Sequence, residues 1–214
     1  MLEELVRAWV SGWTVSRGTP PPEPEPWGLR VEAGLPEQAV GHVLLEPTEQ
    51  AVRALVEQVT VPATWLKAFV PAQSPEPWLT GCWSPMRSHH LMATDLRPGP
   101  IHPVDGYRID TRSRGGVIRV RVLAADGSLA ARGQAAPVGG HATFDQIVTE
   151  PGHQRRGLGS LVMCSLANAA TEQGATRGVL GATDEGRALY ASLGWKLHAP
   201  LTGFVHRAEN ATGR

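Results

Sequence analysis

The sequence predicts an α+β fold, a mixed, mostly antiparallel twisted sheet flanked by helices. Three observations predict it. Within GVIRVRVLAADGSLAARGQAAPV, Ile118, Val120 and Val122 alternate with Arg119 and Arg121, and the chain passes Asp126-Gly127 and returns. That is the pattern of an antiparallel hairpin with a tight turn. Residues 2–13 and 158–170 instead carry apolar side chains at spacings of three and four, the mark of one buried helical face. Strands precede helices and the two alternate only late in the chain, which calls for a mixed sheet.

Taken in order, the first helix is expected over residues 2–13, with Leu2, Leu5, Val6, Trp9, Val10 and Trp13 on one face. Tryptophans at that spacing are read as packing rather than as a ligand stack. TPPPEPEP, residues 19–26, cannot be helical and is expected as an extended spacer. Short strands follow around Leu29 to Val31 and Val40 to Leu45, then a helix from Pro47 to Val59 capped by Thr48, and a strand from Trp65 to Val70. CWSPMRSHHLM gathers Cys82, His89 and His90. Adjacent histidines in a strand point to opposite faces, so no metal site is expected there. Beyond Pro103 come the hairpin and a strand in HATFDQIVTEP. A helix over Gly157 to Gln173, a strand over Val179 to Ala182, a helix over Asp184 to Leu193 and a strand pair over Trp195 to Arg207 complete the chain.

Composition bounds the function. With 214 residues and 42% hydrophobic content the chain can bury a real core, and its first residues read neither as a signal peptide nor as a membrane span. Two cysteines are too few for a disulfide framework. A cytoplasmic location with no membrane partner is the expectation. The formal net charge is zero, which argues against a nucleic-acid binder. The charge is unevenly spread, with 7 basic against 11 acidic residues over 1–100 and 13 against 9 over 101–214. A small anionic ligand fits the second half. Two regions are expected accordingly, an accessory N-terminal one over 1–100 and a ligand-binding domain over 101–214.

EPGHQRRGLGS, residues 150–160, lies between a strand and a long helix. A helix start leaves up to four amide donors unpaired, and these with the macrodipole attract an anion. Gly157 and Gly159 remove Cβ atoms that would hold a phosphate away, and Arg155 and Arg156 add positive charge. The stretch therefore reads as a pyrophosphate cradle. It contains no GxxxxGK[ST], and GxGxxG fails because Val162 stands where the third glycine belongs. What remains is [QR]xxGx[GA], carried by Gln154, Gly157 and Gly159.

Here the sequence resembles the GNAT superfamily of N-acetyltransferases from about His141 to Phe204. IVTEPGHQRRGLGSLVM is similar to the family's strand, loop and helix, and ATDEGRALYASLGWKL to its second signature. The resemblance implies acetyl-CoA as cosubstrate and an acyl-CoA N-acyltransferase fold. It implies that main-chain groups of Ile147, Val148 and Thr149 pair with the pantetheine arm. Amides of Arg155, Arg156, Gly157, Leu158, Gly159 and Ser160 would hold the diphosphate. It sets Thr183 where many members carry a cofactor-contacting Asn, and Tyr190 where many carry a tyrosine near the thioester sulfur. The acceptor would be a small-molecule or peptide amine, and a homodimer is compatible with the sequence.

Transfer to an amine needs an uncharged nucleophile, a polarised carbonyl and a proton for the thiolate. An amine of pKa about 10.4 is neutral about one time in 2500 at pH 7, so a base or a dry pocket must help. Asp145 stands on the strand where members frequently carry an acid, and period-two geometry puts Thr143, Asp145 and Ile147 on one face. It is the candidate base, the other reading being a salt bridge to an arginine. Gly178 stands where some relatives place a carboxylate instead. Tyr190 is the candidate proton donor, the other reading being packing on Leu189 and Trp195. The family's usual two helices between its first strands have no room within residues 105–145. The rival readings are a non-catalytic acyl-CoA sensor or interaction protein and a nucleotide-phosphate binder.

Overall fold

The computed structural model of the protein describes residues 1–35 and 38–207. Among these the chain runs α1 (Leu2–Arg17), β1 (Glu23–Glu25), β2 (Gly28–Leu35), β3 (Gln38–Leu44), α2 (Glu49–Gln58), β4 (Trp65–Ala68), β5 (Trp83–Pro85) and β6 (His89–Asp95). It continues through β7 (Tyr107–Arg114), β8 (Val117–Ala124), β9 (Leu129–Val138), β10 (His141–Thr149), α3 (Leu158–Glu172), β11 (Arg177–Ala182), α4 (Asp184–Ser192) and β12 (Lys196–His206). The fold class is the expected one, a mixed sheet with flanking helices. The expected terminal strand pair is instead one strand, β12. The first helix continues four residues past Trp13, and the proline-rich spacer contains a short strand, β1, paired with β2.

The chain divides into two compact units, one of Met1–Gly18 with Met92–His198 and the other of Thr19–Leu91 with the chain from Ala199. This division cuts across the halves read from the sequence, because α1 docks on β9, β10 and β11 rather than on the residues that follow it.

In the first unit β7, β8, β9 and β10 form an antiparallel meander, and β11 then pairs with β10 in parallel. The β8–β9 turn forms as its sequence requires. Gly127 takes φ 85°, and the Asp126 carboxylate accepts from the amide and hydroxyl of Ser128. On one sheet face Ile118, Val120, Val122 and Phe144 pack with Leu158, Val162 and Leu166 of α3. On the other face lies α1, at a separation only glycine permits. A Cβ on Gly12 would come to 2.1 Å of Thr143 Oγ1, and that hydroxyl donates to the Ala8 carbonyl at 3.1 Å. The result is a helix–sheet–helix sandwich.

In the second unit β1–β2–β3 are antiparallel, β3 and β4 are parallel and joined through α2, and β4 pairs with β12. Thr48 caps α2 as expected, its side chain accepting from the Ala51 amide at 3.2 Å. Leu44, Leu66 and Phe204 pack beneath Val52, Leu55 and Val56 of α2.

Candidate functional site

The site begins with a fault in β10. Asp145 pairs with Gln134 of β9, but the next register is Val148 with Arg132, so β10 carries one residue more than its partner. Gln146 absorbs the excess with φ 54°, a left-handed conformation rare for a residue with a side chain. The period-two expectation therefore holds only up to Asp145. Thr143 and Asp145 face α1, whereas Ile147 is turned toward α3, where its Cδ1 would meet a Cβ placed on Gly133. This corrects the placement of Thr143, Asp145 and Ile147 on one face.

The fault coincides with a fork. β10 and β11 are in register only over His141–Arg177, Ala142–Gly178 and Thr143–Val179, although β10 runs on to Thr149 and β11 to Ala182. Beyond Thr143 the facing edges carry backbone donors and acceptors that are not spent on each other. An extended amide-bearing chain inserted there would pair with them as an additional strand. Ile147, Val148 and Thr149 lie along this edge.

At the end of β10 the chain turns through Pro151–His153 and starts α3. Arg155 and Gly157 both have positive φ, 62° and 79°, so two reversals within three residues fold the loop against the helix start. Gly157 is the N-cap and offers no side chain, and none caps the helix. Its conformation, not crowding, demands glycine, since a Cβ there would meet nothing within 4 Å. At Gly159 a Cβ would lie 2.8 Å from Leu189 Cδ2 of α4, so that side chain would have to shift. The first-turn amides of Leu158, Gly159 and Ser160 thus face outward without an intrahelical acceptor. Gln154 reaches back to the Thr149 carbonyl at 3.4 Å. Arg156 donates to the Tyr107 hydroxyl at 3.1 Å, and that hydroxyl also contacts His153 Nδ1 at 3.0 Å, while Arg155 stays exposed. This donor set fits a diphosphate: unspent amides at a helix start with one anchored and one exposed guanidinium.

Across from the fork, Thr183 caps α4, its hydroxyl accepting from the Gly186 amide at 3.1 Å. One helical turn on, the Tyr190 ring lies over Gly186, where a Cβ would approach Cε2 to 3.0 Å, and tilts against Trp195. Tyr190 is buried, and its phenol is pushed up to about 12, first by burial and then by the charge of Asp145. Among the described residues its hydroxyl has no hydrogen-bond partner.

Asp145 is fully engaged. Its carboxylate takes Arg17 Nε at 2.6 Å and Nη2 at 3.0 Å, the Ser16 hydroxyl at 3.0 Å and the Gln146 amide at 2.8 Å. Gln134 fixes Ser16 in turn, donating to its carbonyl and hydroxyl at 2.8 and 2.7 Å. Asp145 therefore ties the end of α1 to the bulge. The salt bridge to an arginine, the other reading of Asp145, is the one observed, with Arg17; sequence reading did not identify Arg17 and missed Ser16, Gln134 and the bulge. A pairing across 128 positions leaves no local pattern, and a bulge at Gln146 has no glycine to announce it.

The model of the "Acetyltransferase (GNAT) family" matches residues 77–195, more than half of the chain. No curated protein matches the sequence. Among solved structures, a GCN5-related N-acetyltransferase from Kribbella flavida is similar with a TM-score of 0.67 at 18% identity, over 98% of this chain and 96% of its own. One from Sphaerobacter thermophilus gives 0.53 at 13% identity over 68% and 61%. A GCN5-related N-acetyltransferase-like protein from Streptococcus suis gives 0.55 at 11% over 79% and 80%. At those identities the structures speak for the fold, and the family model for the lineage: the chain belongs to the GNAT family of acetyltransferases.

Proposed function

We propose that the protein transfers an acetyl group from acetyl-CoA to a primary amine by direct attack in a ternary complex. The fork between β10 and β11, opening beside an uncapped helix start, is the observation that carries this reading. Amides from Arg155 to Ser160 hold the diphosphate, and the free edge of Ile147, Val148 and Thr149 aligns the pantetheine arm in the fork. Thr183 keeps its hydroxyl proton for a further acceptor while its oxygen caps α4.

Overall, the carbon–nitrogen bond forms, the carbon–sulfur bond breaks, and one proton passes from nitrogen to sulfur. Tyr190 is the group we assign to the sulfur. A thiolate whose conjugate acid lies near about 8.5 cannot keep a proton taken from a phenol at about 12. Tyr190 therefore donates a hydrogen bond to the departing sulfur and yields its proton only as it gains the one leaving nitrogen. Asp145, occupied by Arg17 and Ser16, serves as a positioning residue that holds the bulge and raises the proton affinity of Tyr190.

Thiol release from acetyl-CoA, measured against a panel of small amines, polyamines and peptides, tests the reading. Turnover with one class, lost at least tenfold in Tyr190→Phe with CoA affinity retained, is the expected result. The engagement of Asp145 favours a second reading, an acyl-CoA sensor without a working base. Tight CoA binding with no turnover across the panel would establish it. The amine class, a cytoplasmic location and a homodimer belong to the same proposal.

A further inference from the structure

The second unit contains a concavity of about 250 Å³ beneath the end of α2, lined by Glu25, Trp27, His42, Leu55, Gln58 and Thr64 among others. Its volume falls just under the usual range of small-molecule pockets, about 300–1,000 Å³. The His42 side chain lines it from β3, only 7% exposed, and its Nδ1 has no hydrogen-bond partner. The Trp27 indole Nε1, also buried, has none, and the two rings meet edge-on with centroids 5.7 Å apart. Leaving such groups unpaired costs about 1–3 kcal/mol each. Two of them at one concavity point to a ligand that supplies both partners.

Charge selects the ligand. Arg30, the cation at this wall, donates to Glu23 at 3.1 Å and to Glu32, so it offers little to an anion. Glu25 is left as the lining carboxylate. The last turn of α2 contains no basic residue, and its carbonyl end favours positive charge. Burial first, and then the charge of Arg30, hold His42 neutral, its pKa down to about 4, so the imidazole can accept from a donor. Val40, Leu55 and Val59 supply an apolar wall.

We infer that this concavity binds a small primary ammonium compound with a neutral oxygen acceptor and an apolar tail, as in an amino-acid amide or an amino alcohol. The ammonium donates to His42 and faces Glu25, and the oxygen accepts from the Trp27 indole. The inference is independent of acetyl transfer, since its residues lie outside the CoA cradle.

Nuclear magnetic resonance of the full chain, following the His42 imidazole and Trp27 indole nitrogens, tests it with three matched probes. These are leucinamide, isocaproamide, which lacks the ammonium, and isocaproate, which reverses the charge. Leucinamide should shift both signals saturably and bind about tenfold tighter than isocaproamide, with no saturable shift from isocaproate. Glu25→Gln, at a partly exposed position that leaves the core intact, should weaken leucinamide about tenfold, and His42→Phe should weaken it at least as much. No saturable shift, tighter binding of either analogue, or unchanged affinity in Glu25→Gln would overturn the assignment. CoA affinity measured on the same samples reads the cradle separately.

Discussion

Each unit contains a parallel strand pair joined by a helix, β10–α3–β11 in one and β3–α2–β4 in the other, and the two differ at the points a ligand would use. In the second unit the register runs from Gly41–Trp65 to Leu44–Ala68, the last residue of each strand, so the pair closes on itself. Its helix start is closed as well, by the Thr48 side chain on the Ala51 amide. In the first unit the pairing ends at Thr143–Val179, β10 is bulged at Gln146, and α3 starts from a left-handed glycine with no side-chain cap. The slot we propose for the cofactor thus differs from the closed crossover in two local features, one extra residue in a strand and no side-chain cap on its helix.

The interiors differ too, and this should give the largest effect. Beneath α3 the strand residues are apolar, Ala142 and Phe144, whereas beneath α2 lies His42. Its folded pKa of about 4 is below the unfolded value of about 6.5. The unfolded chain therefore takes up the proton first. Stability is intact above pH 6.5 and falls as pH drops toward 4, by up to about 3 kcal/mol. Thermal melts across that window should show the loss, and His42→Phe should flatten it. An unchanged slope in the variant would remove His42 as its source.

The open helix start can be broken directly. A β-branched residue is strained at φ 79°, by about 1–3 kcal/mol, so Gly157→Val should either distort the start of α3 or displace the diphosphate. CoA affinity by calorimetry should fall about thirtyfold, with the second unit's properties unchanged. Retained affinity would detach the cradle from this turn.

This contrast also marks what the sequence could disclose. The start of α3 was readable because its signal is local: Gln154, Gly157 and Gly159, on which the proposed cradle rests, stand within six positions, and the helical stripe of Leu158, Leu161, Val162 and Leu166 fixes where the helix begins. Thr48 announced its cap for the same reason. The fork was not readable, because it depends on where two distant strands stop pairing. The environment of Asp145 was hidden too. Its partners Ser16 and Arg17 end a helix whose sequence pattern shows only that it docks somewhere, and Gly12, which lets it approach Thr143, looks like an ordinary helix weakness.

Asp145 offers a third test, because positioning and proton transfer predict different kinetics. Asp145→Ala removes the partner of a partly buried arginine and the acceptor of the Gln146 amide, and should destabilise the fold by about 1–2 kcal/mol. Asp145→Asn keeps the shape and one of the two acceptor oxygens. If Asp145 holds the bulge, the Asn variant should lower kcat with the pH dependence of kcat/KM unchanged in form. A lost acidic limb in that variant would make Asp145 the base after all.

The smallest effect should come from the closed crossover. Thr48→Ala removes one capping bond at an exposed helix start and should cost about 1 kcal/mol, read as a lower denaturation midpoint. The deletion frees the Ala51 amide at a helix N-terminus, as the absence of a side-chain cap does in α3. If a free helix start were sufficient for the cradle, the variant would gain CoA affinity in the second unit. No such gain is expected, since β3 and β4 stay paired to their ends and leave no edge for the pantetheine arm. A second equivalent of CoA bound by Thr48→Ala would show that the cap alone, and not the fork, separates the two crossovers.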